Sequence, residues 1–106
     1  MALAIVTGGS RGLGFATAKA LKEAGHILVL VAKDPVRLAQ AAKELQCEFR
    51  SVDLEELNKT QEVFTEMLQT FGAPQILVLA HGVMSEKMSK TLRTTTQEWR
   101  RVMAIN

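Results

Sequence analysis

The sequence predicts an α/β domain in which a doubly wound parallel sheet carries helices on both faces. Short apolar runs alternate along the chain with stretches of helical periodicity. The strongest runs, such as L-A-I-V and I-L-V-L-V, are continuous rather than alternating, which is typical of strands buried on both faces. A glycine-rich turn also separates the first apolar run from the first helical stretch. These observations predict the first half of a doubly wound α/β domain.

The predicted element order is β-α-β-α-β-α-β, followed by the start of a further helix. Strands are predicted at 3–6, 26–32, 47–52 and 75–80, and helices at 13–24, 35–46 and 55–71. Connections of helix length make consecutive strands parallel. The third strand, C-E-F-R-S-V, alternates in polarity, so we expect it at an edge of the sheet.

Each predicted helix has an apolar stripe and a recognisable end. Asp34 precedes a proline, which predicts a helix N-cap followed by the first helical position. Gly25 and Gly72 stand where the first and third helices should end. A capping-box pattern predicts the further helix at 95–106. The stripe of the first helix is expected to comprise Leu13, Ala16, Thr17, Ala20 and Leu21.

Composition limits the classes of function. The chain has 106 residues, enough for one domain over 1–106 with no second domain, and its net charge of +2 predicts no nucleic-acid partner. No apolar run reaches the length of a membrane span, and no secretory signal is visible, so no membrane partner is expected. The single cysteine, Cys47, favours a reducing cytoplasm, and the sparse histidines predict no metal site.

The stretch T-G-G-S-R-G-L-G at 7–14 predicts an anion site, because it places backbone N–H groups and a helix N-terminus behind a strand. Gly8 would permit the sharp turn, Gly12 a close approach to a phosphate, and Gly14 close packing of the helix on the strand. No G-K-[ST] follows, which excludes a P-loop. The alternative interpretation is a tight strand-to-helix turn without a ligand, but the βαβ context favours the anion site.

These residues resemble the short-chain dehydrogenases/reductases, whose signature T-G-x-x-x-G-x-G is matched by Thr7, Gly8, Gly12 and Gly14. The resemblance extends along the whole chain. Asp53-Leu54 stands where the family meets the adenine, and L-A-H-G at 79–82 stands where it usually has N-N-A-G. W-R-R-V-M-A-I-N at 99–106 resembles the family's central helix.

The resemblance implies the N-terminal half of a Rossmann-like fold, with the strand order 3-2-1-4 at its centre. It also implies a dinucleotide cofactor bound at the ends of the strands, and Asn106 as the one catalytic residue of the family that this chain contains. We also expect Lys33 to bind the cofactor, because its positive charge stands at the end of the second strand. The expected cofactor-binding residues are Gly8, Ser10, Arg11, Gly12, Leu13, Gly14, Lys33, Asp53, Leu54, Ala80 and Gly82.

The same stretches predict NADP(H) over NAD(H). An NAD site places a carboxylate at the end of the second strand. Asp34 is near that place, but helix capping explains it, and the family's register puts the discriminating position on the uncharged Ala32. Lys33 and Arg11 could both bond a 2′-phosphate. The alternative for Lys33 is a solvated loop lysine.

The chain has no tyrosine, although the family uses a Tyr-x-x-x-Lys pair and a serine for catalysis. We therefore expect the cofactor-binding N-terminal portion of an NADP(H)-dependent carbonyl/alcohol oxidoreductase, inactive alone, whose full-length form acts on a small-molecule substrate. A second hypothesis is a non-catalytic NADP-binding module, such as a redox sensor or pseudoenzyme. A third is a half-domain completed by another chain. If the sheet ends with this chain, the apolar fourth strand at 76–79 is an open edge, and we then expect self-association or a homo-oligomer.

Overall fold

Parallel strands form one sheet within residues 2–10 and 12–80, the part of the chain that the computed structural model describes. Its strand order, β3-β2-β1-β4, confirms the predicted class and places β3 at an edge. The helix expected at 95–106 lies outside the described residues. The elements are β1 (Leu3–Thr7), α1 (Gly12–Glu23), β2 (Ile27–Ala32), α2 (Pro35–Leu45), β3 (Glu48–Ser51), α3 (Leu57–Phe71) and β4 (Ile76–Leu79).

Both faces of β1 and β2 are buried, because successive side chains of a strand point to opposite faces. Helix α3 covers one face, and α1 and α2 cover the other. The first core consists of Leu3, Ile5, Val29, Val31, Val52, Leu54, Phe64 and Met67. The second consists of Ala4, Val6, Ala18, Leu28, Leu30, Ala32, Leu38, Ala41, Ala42 and Leu45. The continuous apolar runs thus predicted the two-sided burial correctly.

The stripe predicted for α1 is wrong in its details. Gly14 and Ala18 are the buried residues of this helix, whereas Leu13 is 78% exposed and Ala16 and Ala20 also face solvent. Gly14 and Ala18 lie one turn apart and therefore share a face. Their small size lets α1 pack closely on the sheet, and this backbone packing turns the larger Leu13 outwards.

Helix α2 begins as the sequence predicts. Asp34 has an extended backbone, and its Oδ1 accepts hydrogen bonds from the backbone N–H groups of Val36 at 3.0 Å and Arg37 at 3.3 Å. These bonds satisfy two N–H groups that a helix leaves without an intrahelical partner. The carboxylate of Asp34 is therefore engaged in capping, as expected.

Helix α3 begins at Leu57, two residues later than predicted from the sequence. The delay has a local cause, because the backbone N–H of Glu56 donates to the carbonyl of Asp53 at 2.9 Å and closes a turn. At its other end, Gly72 adopts a φ of 86°, which ends the helix where expected.

Strand β4 borders β1 and lies at the edge of the described sheet opposite β3. Its residues are half-buried except Leu79, which is 40% exposed. The self-association expected through this strand stays a prediction.

Candidate functional site

The carboxyl ends of all four described strands meet at one edge of the sheet, because the strands are parallel. Backbone hydrogen bonds join the segments that leave this edge. The N–H of Gly8 donates to Val31 O at 2.7 Å, and the N–H of Ala80 donates to Thr7 O at 3.0 Å. These hydrogen bonds hold the segments together at the edge of the sheet. Parallel sheets of this type bind ligands at this edge.

The turn between β1 and α1 is packed so tightly that it requires glycine at one position. A Cβ on Gly14 would stand 2.1 Å from the carbonyl oxygen of Gly8 and 3.2 Å from the Cβ of Ala80. No flexible side chain could move aside, because the nearest atom belongs to the backbone. The close packing of helix on strand predicted for Gly14 is thus present.

Gly12 has a different role in the same turn. Its φ is +61°, a left-handed conformation that residues with side chains rarely adopt. Among the described residues, apart from its chain neighbours and the backbone of its own helix, no atom lies within 4 Å of the place where its Cβ would stand. The described residues beyond α1 therefore leave the backbone at Gly12 uncovered. The first turn of α1 also contains no acidic side chain, so no carboxylate of that turn compensates the positive end of the helix dipole. These features are compatible with an anion such as a phosphate group at this helix N-terminus.

A charged pair lies at the ends of β2 and β3. Lys33 Nζ is 3.5 Å from Asp53 Oδ2, and the two side chains are 79% and 27% exposed respectively. The pKa of Asp53 is lowered, mainly because its carboxylate accepts a hydrogen bond from the backbone N–H of Glu55, and further by the positive charge of Lys33. Partial burial of the carboxylate opposes these effects. Asp53 is therefore an anion at neutral pH.

The predicted site residues fall into groups. Gly8, Gly14 and Ala80 are in contact or near contact at the glycine turn, and Lys33 and Asp53 contact each other. The Leu54 side chain is only 9% exposed and belongs to the core, so any ligand contact would come from its backbone. Ser10 is half-buried, and Leu13 projects into solvent. Arg11, Gly82 and Asn106 lie outside the described residues.

The sequence reasoning missed three residues that support this edge. Gly9 packs under the turn, since a Cβ there would stand 2.8 Å from Leu30 Cδ2. Ser51 Oγ donates to the carbonyl of Lys33 at 3.0 Å. Thr60 Oγ1 donates to the carbonyl of Glu56 at 2.9 Å and lies 3.3 Å from the carbonyl oxygen of Asp53. Thr60 could have been found, because it interrupts the apolar stripe of α3 and a buried hydroxyl needs a partner.

Residues 2–10 and 12–80 contain neither a membrane span nor a metal-binding cluster. No helix in these ranges combines the length and hydrophobicity needed to cross a membrane. The same ranges contain no group of three or more His, Cys, Asp or Glu side chains that could hold a metal ion.

The fold and the glycine turn define a doubly wound α/β domain of Rossmann-like type. The family model for short chain dehydrogenases matches residues 2–106. The chain therefore belongs to that family, whose members are oxidoreductases that bind a nicotinamide dinucleotide.

A curated relative agrees with the family assignment, and solved structures agree with the fold. Carbonyl reductase family member 4 of Danio rerio is 31% identical over 107 residues, covering 98% of this chain and 44% of the relative. A β-ketoacyl-ACP reductase from Bacteroides thetaiotaomicron matches the fold with a TM-score of 0.87 at 23% identity, over 95% of this chain and 57% of that one. Pseudomonas aeruginosa RhlG, solved as an NADP complex, has a TM-score of 0.78 and 26% identity, over 95% and 46% of the two chains. The chain thus spans about half the length of the proteins it matches.

Proposed function

We propose that the chain forms the NADP(H)-binding portion of a short-chain oxidoreductase that interconverts carbonyl and alcohol groups. The observation that carries this proposal is the glycine turn, where the described residues leave Gly12 uncovered at the N-terminus of α1 and Gly14 packs against the Gly8 carbonyl. The dinucleotide would supply the hydride acceptor or donor. The residues of this chain would bind its phosphates at the turn and its adenosine at the ends of β2 and β3.

The preference for NADP(H) rests on the charge at the end of β2. Lys33 is the residue directly after this strand, and its side chain is mostly exposed, so it can reach a 2′-phosphate. The one carboxylate nearby in sequence, Asp34, is engaged in capping α2 and does not compete for a ribose hydroxyl. The NADP complex of the 26% identical RhlG supports the same preference.

Calorimetric titration of the chain with NADP⁺ and NAD⁺ tests this proposal. We expect NADP⁺ to bind at least about tenfold more tightly, which corresponds to about 1.4 kcal/mol. Lys33→Gln should weaken NADP⁺ binding and leave NAD⁺ binding unchanged. Lys19→Gln, at an exposed position of α1, removes an equal charge away from the site and is the matched control. Equal affinities or a preference for NAD⁺ would refute the NADP preference, and absence of binding would refute the proposed function.

A second candidate function is a binding module without catalysis, which the absence of tyrosine from the 106 residues would support only if the natural protein ended at Asn106. The two candidates differ in whether the natural protein continues beyond Asn106 with catalytic residues. A coding sequence that runs on in frame to a Ser and a Tyr-x-x-x-Lys motif supports the enzyme, and the intact mass of the native protein supplies the same information. A natural end at Asn106, together with NADP⁺ binding, supports the binding module.

The free, half-buried thiol of Cys47 fits a reducing compartment, and we propose the cytoplasm.

A further inference from the structure

We propose that Asp53 determines nucleotide specificity by opposing the 2′-phosphate, because its carboxylate holds the Lys33 ammonium that this phosphate would bind. The inference rests on the proposed function and refines it. Lys33 favours the binding of NADP(H) over NAD(H), and Asp53 limits the size of this preference. The NADP(H) preference is then set by the ion pair and not by the lysine alone.

The carboxylate is the fixed member of the pair. Asp53 Oδ1 accepts a hydrogen bond from the backbone N–H of Glu55 at 3.0 Å, and the Asp53 carbonyl accepts from the N–H of Glu56 at 2.9 Å. Thr60, fully buried on α3, donates its hydroxyl to the Glu56 carbonyl at 2.9 Å and places it 3.3 Å from the Asp53 carbonyl. The Glu55 and Glu56 N–H groups therefore hold the side chain and the main chain of Asp53, which keeps its negative charge near Lys33.

Hydrogen bonds hold the backbone of Lys33, whereas its side chain is mostly exposed. Ser51 Oγ donates to the Lys33 carbonyl at 3.0 Å, and the N–H of Val52 donates to the Ala32 carbonyl at 3.0 Å. The Lys33 Cα is thereby anchored to the end of β3. The side chain is 79% exposed, so its ammonium can exchange Asp53 Oδ2 for another anion nearby.

The electrostatic consequence comes from these positions. With the pair formed at 3.5 Å, the charges of Lys33 and Asp53 largely cancel at a distance. A 2′-phosphate that binds the ammonium must replace the Asp53 contact or share the lysine, and its negative charge then lies near a fixed carboxylate. Both effects weaken the binding of ligands that carry the 2′-phosphate. Neither effect acts on ligands that lack it.

The variant Asp53→Asn isolates this charge. Asparagine keeps an oxygen that can accept from the Glu55 N–H, so the turn before α3 is retained while the negative charge is removed. Glu55→Gln is the matched control, because it removes an equal charge from an exposed neighbour that makes no ion pair with Lys33 in the described structure. Thermal melts of both variants establish that they fold.

The ligands are 2′,5′-ADP and 5′-AMP, which differ only in the 2′-phosphate and lack the nicotinamide half. Calorimetry should show the affinity ratio of 2′,5′-ADP to 5′-AMP rising about two- to fivefold in Asp53→Asn, the scale expected when an exposed charge contact is removed. Glu55→Gln should change the ratio less than about twofold. In a Lys33→Gln background, the effect of Asp53→Asn should shrink, because the competition for the ammonium is gone. About 0.5 M salt should also reduce it.

The outcomes distinguish this inference from the proposed function. If the wild-type chain binds neither ligand, the proposed function fails and the inference fails with it. If the wild type binds both and the ratio is unchanged or lower in Asp53→Asn, the proposed function stands and the inference is refuted. If the ratio rises equally in Glu55→Gln, the effect is one of general charge, and the specific role of Asp53 is refuted.

Discussion

The carbonyl oxygen of Gly8 lies 2.1 Å from the place where a Cβ on Gly14 would stand. This approach joins the end of β1 to the first turn of α1 through backbone atoms alone. It therefore sets the position of the helix N-terminus relative to the sheet. Any side chain at residue 14 must separate the two elements at the point where the proposed phosphate site is formed.

Gly14→Ala should consequently disrupt the turn. Overpacking against a backbone atom costs on the order of 1–3 kcal/mol, and we expect the free energy of unfolding from urea titration to fall by about this amount. Nucleotide binding should be lost even where the variant folds, because the N–H groups of α1 are displaced. The control Ala16→Ser changes an exposed position of the same helix and should cost less than about 0.5 kcal/mol. Unchanged stability and binding in Gly14→Ala would contradict the packing described.

The carboxylate of Asp34 is predicted to stabilise the chain without contacting the nucleotide. Asp34→Ala removes the acceptor of the Val36 and Arg37 N–H groups, and should lower the free energy of unfolding by about 1 kcal/mol. Asp34→Asn preserves an oxygen acceptor and should be close to wild type. Calorimetry should show the same NAD⁺ affinity in all three proteins. A selective loss of NAD⁺ binding in Asp34→Asn would instead assign the carboxylate to a ribose hydroxyl.

The fold was predictable because its strongest signals are local. Continuous apolar runs identify β1 and β2, and the pair Asp34-Pro35 identifies the start of α2. The buried face of α1 was not predictable in the same way. An apolar stripe counts side chains, whereas the position of α1 depends on the backbone contact of Gly14, which contributes no side chain to the pattern.

The sequence predicted the packing role of the glycines in the candidate site, but it did not predict how the charged residues pair. The spacing of Gly8 and Gly14 reflects the need for close packing, and the structure contains that packing. Lys33 and Asp53 could each be named from the sequence as residues that end strands. Their ion pair could not, since it depends on β2 and β3 being neighbours and on Ser51 anchoring the Lys33 backbone.

The lowered pKa of Asp53 predicts a dependence of stability on acid pH. The hydrogen bond from Glu55 N–H, together with the Lys33 charge, makes the folded pKa lower than the unfolded one. The carboxylate thus adds to the free energy of unfolding above its unfolded pKa, about 4, and this contribution is lost as pH falls through the folded pKa.

Melting temperatures of the wild type and Asp53→Asn, measured from about pH 6 downwards, should therefore converge as the pH falls. Lys33→Gln keeps the Glu55 hydrogen bond, which is the larger cause of the shift, and should retain most of the pH dependence. A difference between wild type and Asp53→Asn that stays constant or widens towards low pH would show that the pKa of Asp53 is not lowered by folding.

Cys47 is the single cysteine, so its alkylation reports one site without ambiguity. Burial raises the pKa of its thiol, the neighbouring Glu48 raises it further, and Lys22 lowers it. Iodoacetamide reacts with the thiolate, and we expect the native chain at about pH 7.5 to react more slowly than the urea-unfolded chain, as followed by mass spectrometry. Lys22→Gln removes the cation that lowers the thiol pKa, so it should slow the native reaction further and leave the unfolded rate unchanged. A native rate equal to the unfolded rate would mean that the end of α2 does not bury this thiol.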